Sequence, residues 1–234
     1  MTVSKEQTMD KTKIAEAYSN IPPDEFMPAK YHRRCLKWVE PYLADGHVVG
    51  DLGCSYGSLT EILANHRLSL KIHSSDLTPA FVEACQKRVP STQAIVTDLC
   101  NMGYADNFFN VTFVVEVMEH IEDPVTAFEE IKRVLKPGGV CLITMPNRDW
   151  FHFEKYDAER RRFQPVDDHF YSVGEAEDLI QRGGLKVIQV RGGENLYFGG
   201  GIPHLCEKIA LKLYPKLHRR MKRMMILCQK PLNQ

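Results

Sequence analysis

Small residues and acids cluster where short apolar runs of this chain give way to amphipathic ones. The first such place is Asp51-Leu52-Gly53-Cys54-Ser55-Tyr56-Gly57. Small residues in a turn of this kind let backbone approach a ligand closely, and a following helix offers free N–H groups. The turn does not fit the dinucleotide pattern G-x-G-x-x-G, because positions 55 and 58 are both serine. It does fit G-x-S-x-G, the elbow that presents a nucleophilic serine, although no H-G-G-G-type oxyanion loop precedes it. Further along, Glu116-x-x-Glu119-His120 and a distant His169 offer two carboxylates and two imidazoles. Spacing at i, i+3 and i+4 places the first three on one side of a helical turn, a ligand set for Mg²⁺, Mn²⁺ or Zn²⁺. Such an ion would acidify and orient an acceptor hydroxyl. Without it, His120 or His169 would act as a general base.

The elements that must hold these residues follow from periodicity. Short β-rich runs at His47–Leu52, Leu70–Ser74, Gln93–Thr97, Val111–Val115 and Val140–Met145 alternate with amphipathic stretches. Ser58 with Glu61, and Ser172 with Glu175, have the spacing of capping boxes. Thr78-Pro79 and Asp123-Pro124 read as helix starts, and Lys136-Pro-Gly-Gly139 as a stop. Val187–Val190 and Met224–Cys228 are two final strands. This alternation predicts an α/β fold: a Rossmann-like, seven-stranded, mostly parallel sheet with helices on both faces and an antiparallel last strand. Ligands of such sheets bind beyond the carboxyl ends of the strands, where the acids and the small-residue turn lie.

Taken in order, these segments resemble the class I S-adenosylmethionine (SAM)-dependent methyltransferases. Val48-Val-Gly-Asp51-Leu-Gly53-Cys-Ser55-Tyr-Gly57 looks like their glycine-rich first motif, with Ser55 in place of the usual middle glycine. The resemblance makes Asp76, followed by Leu77, the acid that binds the ribose hydroxyls. It makes Asp98 the acceptor for the adenine amino group, with the Leu99 backbone at the adjacent ring nitrogen. Val115, in Phe109-Asn-Val-Thr-Phe-Val-Val115, would sit beside the cofactor, and Arg133-Val-Leu-Lys-Pro-Gly-Gly139 is similar to the family's stop before the fifth strand. Asn110 stands where the family usually has Asp. The E-x-x-E-H pattern is similar to that of quinone-biosynthetic O-methyltransferases and of small-RNA ribose 2′-O-methyltransferases. The resemblance thus implies SAM as cofactor and a divalent cation as a second one.

Composition bounds the rest. Thirty basic and thirty acidic residues give a formal net charge of zero over 234 residues, so no bulk charge favours a polyanion. Seven scattered cysteines without a C-x-x-C pair argue against a disulfide framework or a zinc ribbon. With a polar start and no long apolar run, the expectation is a cytoplasmic protein without a transmembrane segment. The expected layout is an N-terminal tail and helical cover at 1–43, then a SAM-binding domain at 44–234. That domain carries a lid at about 146–171, which holds seven of the chain's 22 aromatic residues, and a helical insertion at about 203–220. The segment 212–223 has six Lys or Arg and no acid, which keeps RNA open as a partner. The function expected is methyl transfer to a small-molecule acceptor, at oxygen. The alternatives are metal-dependent RNA ribose 2′-O-methylation, a non-catalytic SAM binder, and a serine hydrolase.

Overall fold

The computed structural model describes residues 15–18, 28–160, 168–193 and 211–232. Helix α1 is Ala29–Val39, and β1 (Val48–Leu52) leads into α2 (Ser58–Ala64). Strand β2 (Lys71–Asp76), α3 (Pro79–Arg88) and β3 (Gln93–Val96) follow. Next come β4 (Phe109–Val115), a 3₁₀ turn at Met118–His120, α4 (Pro124–Val134) and β5 (Leu135–Pro146). Helices α5 (Phe153–Arg160) and α6 (Val173–Arg182) precede β6 (Lys186–Gly192), a 3₁₀ turn at Pro215–Arg220 and β7 (Arg223–Gln229).

The seven strands form one sheet in the order β3-β2-β1-β4-β5-β7-β6. The pairs from β3 to β5 are parallel, and β7 runs antiparallel to both its neighbours. The order reverses direction at β1 and β4, so the crevice beyond their carboxyl ends is the place where such a sheet binds ligands. The expected fold class is the one observed.

Alternation along the central strands divides the core between the two faces. Val111 and Phe113 of β4, Leu142 of β5, and Met225 and Leu227 of β7 pack with α1 and α2 on one side. Val114, Ile143, Met224 and Ile226 pack with Phe128 and Ile131 of α4 and Ile180 of α6 on the other. Both faces are therefore covered, which is why β4 reads as an unbroken apolar run.

The helix-capping signals of the sequence are met unevenly in the fold. At α6 the box is complete: Ser172 Oγ accepts from Glu175 N–H (3.2 Å) and Ser172 N–H donates to the Glu175 carboxylate (2.7 Å). Asp123 caps α4 by accepting from Thr126 N–H at 3.2 Å. Ser58 forms no box, because Gly57 occupies the N-cap position and Glu61 pairs with Arg88 instead. Lys136 to Gly139 is not a plain stop either. It belongs to β5, where Gly138 at φ +78° donates its N–H to the Lys230 carbonyl across the sheet (2.9 Å).

Candidate active site

The turn after β1 is built on backbone that few side chains tolerate. Gly53 has φ +86°, and a Cβ there would overlap the Val117 side chain. Ser55, in place of the expected glycine, nevertheless takes the glycine-like conformation, with φ +47°. That strain is held in place from outside the turn. Ser55 N–H donates to Asp76 Oδ2 and Thr78 N–H to Asp76 Oδ1, both at 2.9 Å. Asp76 thus ties the turn after β1 to the turn after β2. Burial raises its pKa, and the Thr78 and Ser55 N–H groups oppose that rise.

Beneath the turn, Asp51 is 2% exposed and accepts a 2.6 Å hydrogen bond from Thr60 Oγ1. Thr60, Ser74 and Thr92 continue as a chain of buried hydroxyls to the Ile72 carbonyl. Loss of water pushes the Asp51 carboxyl up to about 6, against the pull of Thr60.

A cavity of about 380 Å³ opens at these strand ends, a size suited to a small ligand. Eight of the nine residues expected to bind the cofactor line it: Asp51, Gly53, Ser55, Asp76, Leu77, Asp98, Leu99 and Val115. The ninth, Gly57, stands behind the wall, where a Cβ would come within 2.9 Å of Cys85 Sγ. Asp98 holds its turn by accepting from Cys100 N–H at 2.9 Å. The donor set fits an adenine nucleoside, with two acids and a close backbone along one wall. Ser55 does not fit a hydrolytic nucleophile, because its buried Oγ has no hydrogen-bond partner among the described residues and so no base beside it.

The expected metal ligands are not brought together. Glu116 lies outside any helical turn, at φ +56°, so its spacing to Glu119 and His120 does not align the three side chains. Its carboxylate is instead engaged by the Arg223 guanidinium and by Thr144 Oγ1 (2.9 Å). Glu119 is fully buried, with Oε1 4.0 Å from His120 Nε2. His169 is exposed and meets Glu119 only through its backbone N–H, which donates to the Glu119 carbonyl at 2.7 Å. Among the described residues no three His, Cys, Asp or Glu side chains converge on a metal position. The residues present do not fit a divalent cation, and the exposed imidazole of His169 does not fit a base at the cavity.

His120 does line the cavity, together with Glu116, Val117 and Ile121. Its Nδ1 lies 2.7 Å from Asp168 Oδ1 and 3.0 Å from the Tyr18 hydroxyl. Neither partner was singled out in the sequence. The only trace of Asp168 was its place beside His169, and Tyr18 comes from a helical segment more than a hundred positions away.

Two expected peripheral features resolve differently. In the aromatic stretch, Phe153, Tyr156 and Phe170 pack on one another, and Trp150 meets Tyr156 edge-on. Phe163 lies outside the described residues. In the basic segment, Arg219 pairs with Glu177, Arg220 donates to the Asp149 carbonyl, Lys222 lies over the Tyr156 ring and Arg223 holds Glu116. Internal partners thus take up most of the charge that favoured RNA. Of the helical insertion expected at 203–220, residues 203–210 lie outside the described residues, while 211–213 are helical and Pro215–Arg220 form a 3₁₀ turn. Among the described residues no helix is long and apolar enough to cross a membrane.

Comparison with known proteins agrees with this geometry. Residues 50–143 match the methyltransferase domain family. A ubiquinone biosynthesis O-methyltransferase of Coxiella burnetii is 24% identical over 211 residues, spanning 82% of this chain and 88% of the relative. The protein of that name from Cereibacter sphaeroides is 29% identical over 154 residues, 61% of each chain. Among solved structures, a SAM-dependent methyltransferase of Thermotoga maritima, described as a possible histamine N-methyltransferase, superposes with a TM-score of 0.67. It is 18% identical and covers 93% of this chain and 99% of its own.

Proposed function

The chain is a class I SAM-dependent methyltransferase, and from that premise we propose that it methylates a hydroxyl oxygen of a small molecule, with His120 as the base. The observation that carries this reading is the 2.7 Å contact between His120 Nδ1 and Asp168 Oδ1 at the wall of the cavity. The relatives' names, which specify O-methylation in ubiquinone biosynthesis and of malonyl-[acyl-carrier protein], support oxygen as the atom and a small acceptor.

SAM supplies an electrophilic methyl group on a sulfonium, so the protein must orient a nucleophile and take up its proton. Asp76 would receive the ribose hydroxyls, Asp98 and Leu99 the adenine, and the turn from Gly53 to Gly57, with Val115 at its side, would hold the rest of the cofactor. On the transfer side, His120 accepts the proton as the acceptor oxygen forms its new bond. The carboxylate of Asp168 fixes the imidazole and stabilises the imidazolium that results. Tyr18, 3.0 Å from His120 Nδ1, joins the N-terminal segment to this pair.

Steady-state kinetics with a phenol or catechol acceptor provide the test. Replacing His120 with Ala lowers kcat by about 10²-fold or more, and Asp168→Asn lowers it less. Affinity for S-adenosylhomocysteine stays unchanged in both. A His120→Ala enzyme with wild-type kcat would remove His120 from the mechanism.

A further inference from the structure

Two thiols from different elements meet at the turn after β1. Cys54 belongs to that turn and lines the cavity, and Cys85 lies on the buried face of α3. Both are buried and both are free cysteines. Helix α3 packs directly on the turn. The Gly57 N–H donates to the Cys54 carbonyl at 2.9 Å, and a Cβ on Gly57 would come within 2.9 Å of Cys85 Sγ and 3.1 Å of Cys85 Cα. One helical turn before Cys85, the Phe81 ring meets the Tyr56 ring at 4.8 Å between centroids. A hydrogen bond from Cys54 lowers the pKa of the Cys85 thiol, which gives the sulfur in α3 thiolate character. Cys141 and Cys228 also face each other, across β5 and β7, but both are fully buried in the core and do not line the cavity.

We propose that hydrogen peroxide entering the cavity joins Cys54 and Cys85 in a reversible disulfide, and that this disulfide weakens cofactor binding. The second part rests on the assignment of the cavity to SAM. Peroxide oxidises the Cys54 thiol to a sulfenic acid and leaves as one water. Cys85 then attacks the Cys54 sulfur, and the sulfenic hydroxyl departs with the remaining thiol proton as a second water. Two electrons pass from the sulfurs to the peroxide, and a dithiol reductant returns them. A disulfide needs its sulfurs about 2.0 Å apart, closer than free thiols approach, so the bond draws Cys54 and α3 together. The turn has little slack to absorb that movement. Gly53, Ser55 and Gly57 all have positive φ, and the Gly53 and Cys54 N–H groups both donate to the Ser75 carbonyl, at 2.7 and 2.9 Å. The displacement therefore falls on the cavity wall. Coupling of this kind is reciprocal: a cofactor that prefers the reduced turn opposes the disulfide to the same degree.

Peptide mapping and calorimetry on the full chain test the switch. Trypsin cuts at Arg67 and Lys71, between the two cysteines, so after peroxide treatment the disulfide appears as linked peptides that dithiothreitol separates. Oxidised protein binds S-adenosylhomocysteine about tenfold or more weakly than reduced protein. Dithiothreitol restores the affinity, which methionine sulfoxides would not allow. S-adenosylhomocysteine added before peroxide slows the cross-link. Cys85→Ser binds S-adenosylhomocysteine with wild-type affinity and keeps that affinity through peroxide treatment; Cys85→Ala gives the same result where the serine is poorly tolerated. Absence of the linked peptides in wild-type protein, unchanged affinity once they have formed, or loss of affinity in the oxidised Cys85 variants would overturn the proposal. Reduced wild-type protein that binds no S-adenosylhomocysteine would instead overturn the cofactor assignment, and the effect on binding with it, even where the linked peptides form.

Discussion

Asp51 is the buried acid whose removal gives the sharpest test of the energetics. Its carboxyl is 2% exposed, has one hydroxyl donor at 2.6 Å, and is pushed from 3.8 to about 6 by loss of water. Because its folded pKa lies above the unfolded one, the folded state holds this proton more tightly. Its contribution to stability is complete below pH 3.8 and is lost as pH rises through 6. At ~1.4 kcal/mol per pKa unit the loss totals about 3 kcal/mol. Asn mimics the protonated form and still accepts from Thr60. Asp51→Asn should therefore match wild type near pH 3.8, exceed it by about 1 kcal/mol at pH 4.5, and by about 3 kcal/mol at pH 7.5. Urea unfolding of both proteins across this range measures the difference directly. His32 acts in the opposite sense: with its folded pKa lowered to about 4, it costs stability as pH falls below 6.5. That effect is common to both proteins and cancels. A variant less stable than wild type at pH 7.5, or a difference that does not change with pH, would show that Asp51 is not held at a desolvation cost.

Other perturbations probe the remaining parts of the site. Gly53→Ala forces a Cβ into Val117 at φ +86° and should destabilise by about 2–4 kcal/mol. Adding Val117→Ala should recover the clash but not the backbone strain, which thermal unfolding of the three proteins separates. Arg223→Met leaves the Glu116 carboxylate buried without its counter-charge and should cost about 3–5 kcal/mol. Adding Glu116→Gln should return most of it, and a loss under ~1 kcal/mol for Arg223→Met alone would show that the pair is not desolvated. Methyl transfer should continue at its full rate in excess EDTA. A rate that falls with chelator and returns with Mg²⁺, Mn²⁺ or Zn²⁺ would reinstate a metal that the arrangement of Glu116, Glu119, His120 and His169 does not accommodate.

What the sequence revealed and what it hid divide along physical lines. Asp76 and Asp98, named from the resemblance to methyltransferase motifs, line the cavity because those motifs are local patterns at strand ends: Asp76 closes β2 and Asp98 stands two residues past β3. The turn from Gly53 to Gly57 was legible for the same reason, and Ser55 left its conformation open until the Asp76 carboxylate was seen to hold it. Partnerships across the fold left no such trace: His120 with Tyr18 and Asp168, or Glu116 with Arg223, are set by packing and not by spacing. Two arrangements differ from the expected ones for simple reasons. The E-x-x-E-H spacing was read as helical, but Glu116 at φ +56° sits outside the following turn. His169 is exposed, and its neighbour Asp168 is the side chain that faces His120.

The ion pair between Glu116 and Arg223 joins the middle of the chain to its last strand, and this has a consequence for how the protein is made. Chains emerge from the ribosome amino end first, so β1 to β4, with the whole nucleoside wall of the cavity, are exposed to the cell before Arg223 has been added. Until then Glu116 has no guanidinium, β5 has an open edge where β7 will lie, and that edge is free to pair with other strands. Completion of the transfer site and closure of the sheet interior therefore both wait on β7.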